Sequence, residues 1–72
     1  MAEQQPVEFK VSVPGEVALQ LAQFCKRSTF DTFLSFTEGH LSADERAKRA
    51  YQMIAGIEAV ARGLADAGIA PR

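Results

Sequence analysis

Seventy-two residues with a formal net charge of −1, 47% hydrophobic and 24% charged, amount to one small domain. A chain of this size buries only about 60% of the surface it exposes when unfolded, so its core is thin and a partner or second copy is a natural supplement. The single Cys excludes an intrachain disulfide, no metal-ligand spacing is present, and a near-neutral charge lacks the broad positive field of a general nucleic-acid binder.

Met1 to Pro6 are polar and lack the basic and apolar regions of a secretory signal, and no apolar run reaches the ~20 residues that cross a bilayer. They are read as a flexible tail on a single domain spanning 7–72, and the protein as cytoplasmic. Val7, Phe9, Val11 and Val13 alternate with Glu8, Lys10 and Ser12, the period-two pattern of a half-buried strand over 7–13. Pro14 and Gly15 end it. A helix is predicted over 16–27, with Glu16 in the first turn and Val17, Ala18, Leu21, Phe24 and Cys25 along its apolar side. Lys26 and Arg27 complement the dipole at its end.

The Phe-rich segment 29–38 carries Phe30, Phe33, Leu34 and Phe36 at helical spacing, with Ser28 or Thr29 as a cap and Gly39 as a stop, though its composition suits extended structure as well. A short helix is expected. Three Phe in seven residues would form a sticky patch in water, so the segment is expected to pack into the core or into a partner.

The last element has the clearest signals. Ser42 and Glu45 have the spacing of a capping box, with Asp44 and Glu45 at the positive end of the dipole. Gly68 is placed for a left-handed residue after the helix, and Ile69 for a closing contact on Leu64. A helix over 43–67 at 1.5 Å per residue is about 37 Å long. The expected fold is mainly α, one short N-terminal strand followed by two or three helices, assembled as a homodimer through strand or helix pairing.

Ala47, Ala50, Ile54, Ile57, Ala61 and Leu64 step by threes and fours, the seam of a coiled coil or bundle helix. The chain's own first helix can cover part of that seam, but at about twelve residues, near 18 Å, it is half as long. Ala55, Ala59, Gly63 and Ala67, with Gly56 beside them, form a small-residue row that would let another helix approach closely; an interior glycine otherwise costs ~1 kcal/mol. The candidate oligomer or partner interface comprises Val7, Phe9, Val11, Phe30, Phe33, Phe36, Ile54, Ile57, Ala59, Gly63 and Leu64. Asp44 with Lys48, Glu45 with Arg49 and Glu58 with Arg62 read as acid-first pairs on a solvated flank. Lys10, Arg46, Lys48 and Arg49 are candidate polar contacts for phosphate or an acidic protein.

No catalytic residue, cofactor or metal is expected. Cys25 sits beside Phe24 on an apolar helix side, where a thiol behaves as a small hydrophobe, and His40 falls in a loop; phosphate loops, nucleotide fingerprints and zinc spacings are missing.

The order strand, Pro-Gly, helix, turn, longer helix resembles the ribbon-helix-helix repressors, in which the strand pairs with its copy and reads DNA. By position the groove-reading residues would be Glu8, Lys10 and Ser12, and the linker 28–39 exceeds the tight turn of that family. Residues 7–72, in the pattern VSVPGEVALQLAQFCKR, a Phe-rich stretch, then AYQMIAGIEAVARGLADAGIAPR, are similar to a family of short uncharacterised bacterial proteins encoded on plasmids, phages and integrative elements. Many of these end in a tail like Leu64 to Arg72. That resemblance implies context rather than activity: such accessory genes encode small regulators or inhibitors of host defence, anti-CRISPR proteins among them. The expected function is a non-enzymatic interaction protein, a homodimer that binds and modulates another macromolecule, most naturally a protein. The alternative is a DNA-binding repressor.

Overall fold

The structure, a computed structural model, describes residues 5–71. Of the expected tail only Gln5 and Pro6 fall within that range. Three helices follow one another: α1 (Gly15–Arg27), α2 (Phe30–Leu34) and α3 (Ala43–Asp66). Each boundary has a local cause. Pro14 stands at the N-cap of α1 in extended conformation and its carbonyl accepts the first helical bond, from Ala18 N at 2.9 Å. At the other end Ser28 closes α1, its N and Oγ both donating to the Phe24 carbonyl. Thr29 then opens α2 with a reciprocal capping box: Thr32 N donates to Thr29 Oγ1 and Thr29 N to Thr32 Oγ1. This is the short helix expected within the Phe-rich segment, and it stops at Leu34.

Ser42 caps α3, its Oγ accepting from Glu45 N at 3.2 Å. The return bond of a full box is not made among the described residues; the Glu45 carboxylate instead faces Arg49 Nη2 at 3.9 Å. At the far end Gly68 adopts φ 89°, Ile69 N donates to the Leu64 carbonyl at 2.8 Å and Gly68 N to the Ala65 carbonyl at 3.0 Å. That pair of bonds is the Schellman closure, in which a left-handed glycine satisfies carbonyls the helix leaves open.

The expected strand over 7–13 is not formed, and the described residues contain no strand at all. The alternation is real, but an extended segment becomes a strand only when its N–H and C=O groups meet a neighbour's. Residues 5–13 make no backbone hydrogen bond, and their apolar side chains stand in solvent. The likeness to ribbon-helix-helix proteins, which depends on that strand, falls with it. The regular structure of the described residues is all helical, and the N-terminal segment is an extended arm.

α1 and α2 each pack on α3 and not on each other. The Cα extents are 39 × 29 × 15 Å. Since packed helix axes lie 8–10 Å apart, the narrow dimension holds at most two helices in depth. Few side chains can be far from water in so thin a body. The fully buried apolar residues are Ala18, Ala22, Phe33 and Ala50, the last with no exposed surface. Ala18 and Ala22, one turn apart, form the inward line of α1; of the expected apolar side Ala18 is buried, Leu21 and Cys25 are partly buried, and Val17 and Phe24 are about half exposed.

Candidate functional site

The features with chemical or recognition potential sort into three groups. The first is the junction of α2 with α3. Arg46, half-buried on the first turns of α3, donates from Nε to Thr37 Oγ1 at 2.8 Å and from Nη2 to the Leu34 carbonyl at 3.3 Å. Thr37 Oγ1 donates in turn to that same carbonyl at 2.6 Å, and Thr37 N reaches it at 3.1 Å. The guanidinium therefore closes the end of α2, satisfying a carbonyl that the short helix leaves open. Phe33 on the same short helix is buried, and Phe30 packs its ring on Tyr51 with centroids 5.0 Å apart. Sequence spacing alone gave no sign of the Arg46 clamp, because its partners lie across a loop.

The second group is polar. Lys48 and Arg49 are exposed on α3 and Lys10 on the arm, and of the expected acid-first pairs only Glu45 and Arg49 approach within 4.0 Å. His40 is exposed in the loop before α3, with Nε2 at 3.6 Å from Glu38 Oε2, while Cys25 is partly buried on α1. No hydrogen bond joins them. No cluster of metal-ligating side chains occurs among the described residues, and none of their helices is long and apolar enough to cross a membrane.

The third group is apolar surface. Val7, Phe9 and Val11 on the arm, Phe36 after α2 and Tyr51 on α3 are each between 64% and 83% exposed. Val17 and Phe24 on the outer side of α1 are about half exposed, with partly buried Leu21 between them. Phe24 lines an open groove of about 580 Å³ between α1 and α2, together with Gln20, Gln23, Arg27, Ser28 and Thr32. Along α3, Ile54, Ile57 and Leu64 are partly buried, whereas Ala59 and Gly63 face outward. A Cβ added at Gly56 or Gly63 would meet nothing within 4 Å, so the small-residue row makes no close helix crossing inside this chain. The structure thus separates the expected interface residues: Phe33 is core, Phe30 is stacked, and the arm residues and Phe36 are open.

Arm, short clamp helix and long capped helix together define a small helical protein with several large apolar side chains on its surface. The chain belongs to a family of unknown function, DUF7706, whose match covers residues 1–72. No curated protein and no solved structure matches it.

Proposed function

We propose that this is a non-enzymatic interaction protein that binds and modulates another protein. The observation that carries the reading is the apolar surface: Phe9, Phe36 and Tyr51 stand mostly in water, while only three alanines and one Phe are fully buried and the aliphatic side chains Leu21, Ile54, Ile57 and Leu64 are partly covered. Soluble monomers seldom leave so much large apolar surface uncovered unless something docks on it. Aromatic side chains are the usual anchors of such contacts, because they bring large area and few torsions. The similarity of the Leu64–Arg72 tail to proteins of plasmids, phages and integrative elements supports an accessory role in a mobile element, with inhibition of a host defence such as CRISPR interference as the fitting activity.

The test is reconstitution. A protein captured on the immobilised chain from the bacterial host is purified separately and titrated against wild type and Phe36→Ser. Saturable binding that the substitution weakens about tenfold or more supports the reading, since an aromatic anchor is worth at least that factor. Sequence-specific binding to upstream DNA with a steep salt dependence would make the chain a repressor instead. A turnover abolished by Cys25→Ala or His40→Ala would make it an enzyme.

A further inference from the structure

Two uncovered surfaces in this chain are matched in size. The arm carries Val7, Phe9 and Val11, each at least 66% exposed, and α1 carries the stripe Val17, Leu21 and Phe24, of which Val17 and Phe24 are about half exposed and Leu21 partly covered. Val7 to Val11 in extended chain span about 13 Å at ~3.3 Å per residue, and Val17 to Phe24 along α1 span about 11 Å at 1.5 Å per residue, so the apolar part of one arm can run the length of one α1 stripe. The arm does not reach its own stripe. Pro14 fixes the direction in which it leaves α1, at φ −58° and ψ 152°, and the ring also confines Val13 to extended conformations.

The area fits a second copy as the occupant. The chain exposes 5874 Å², whereas a compact chain of 7.8 kDa exposes about 4,400 Å² by the size law for monomers, an excess of about 1,500 Å². A standard interface removes about 800 Å² from each partner, and permanent dimers remove more. A single reciprocal contact between two identical chains is therefore large enough to absorb the excess on both. A net charge of −1 puts no appreciable repulsion between the copies.

We propose that the partner on these surfaces is a second copy of this chain, each copy laying its arm (Val7, Phe9, Val11) along the outer stripe of the other's α1 (Val17, Leu21, Phe24) in a two-fold exchange. A two-fold contact is self-complementary, so arm meets stripe twice and neither surface is left over. The proposal rests on the reading that the exposed apolar surface serves contacts between macromolecules, and it adds that one of those contacts is with itself.

The test uses the full chain in light scattering after size exclusion, at micromolar concentration. Wild type is expected at twice the 7.8 kDa of one chain. Phe9→Asp and Phe24→Asp should each raise the dimer dissociation constant by about thirtyfold or more, the effect of losing an aromatic anchor. Circular dichroism checks that each variant keeps its helices; the Phe9 substitution lies outside the core and serves if the Phe24 variant does not fold. Mixing the two variants is decisive: an intact arm on one and an intact stripe on the other restore one of the two contacts, so dimer mass should partly return in the mixture. A monomeric wild type, variants that both keep the wild-type mass, or a mixture no heavier than its components would each overturn the exchange. Target binding retained by a monomeric chain would leave the functional reading standing without it.

Discussion

Replacing Arg46 by Ala removes the only side chain that ties α3 to the end of α2 by hydrogen bonds among the described contacts. Two charge-assisted bonds are lost, to Thr37 Oγ1 and to the Leu34 carbonyl. Bonds from a cation contribute about 1.5–3 kcal/mol each when buried, but the site is only partly buried and water replaces some of that, so the pair together is worth roughly 2 kcal/mol. In a domain of this size each kcal/mol moves the melting temperature by about 4–8 °C, which puts Arg46→Ala roughly 10 °C below wild type. The assay is a far-ultraviolet circular dichroism melt at one fixed protein concentration. Arg46→Lys separates geometry from charge: an ammonium is a point donor and cannot hold the fork on both oxygens, so it should recover no more than about half of the loss. Arg49→Ala is the control, because its pair with Glu45 is exposed and 3.9 Å long and should cost less than about 0.5 kcal/mol. A Lys variant that melts with wild type, or an Ala variant that melts with the Arg49 control, would refute the clamp.

Ser42→Ala should cost ~1 kcal/mol by removing the cap on α3, read as a lower melting temperature; no change would mean that the helix is held at its start by packing alone. Two glycines should respond in opposite directions. Gly63→Ala should stabilise by about 1 kcal/mol, since the site is open and helical, while Gly68→Ala should destabilise by about 1 kcal/mol, since its φ of 89° suits only glycine. A Gly63 variant that melts lower would place a close contact on the small-residue row after all.

What the sequence made legible was what neighbouring residues decide. Ser42 with Glu45 located the start of α3 to the residue, and Gly68 with Ile69 located its closure, because caps are local chemistry written within five positions. The arm shows the opposite case. Its alternation is visible in the sequence, yet a strand is a property of two segments, and a single sequence displays only one. Along α1 the expected apolar side differs in depth from residue to residue: Ala18 is buried and Leu21 and Cys25 partly so, while Val17 and Phe24 stay about half exposed in a body only 15 Å thin. Arg46 was read as a candidate surface contact. Its true partners, Thr37 and Leu34, become neighbours only when the 35–42 turn brings α3 back across α2.

That arrangement also fixes the order in which the molecule can assemble. α2 and α3 are joined by one short turn, and closing so small a loop loses little entropy. α1 has α3 as its only helical neighbour and is separated from it by the whole of α2 and both connections. Low sequence separation favours early contact, so α2 and α3 come together first and α1 docks on the pair afterwards. Synthesis runs the other way. The arm and α1 leave the ribosome before the helix that must hold α1 has been made, and α3 receives its locking turn at Gly68 only after its last residue has been added. Until then the arm and α1 are unsupported chain, with Val7, Phe9 and Phe24 open to whatever is nearby, and α1 docks only once α3 is there to receive it.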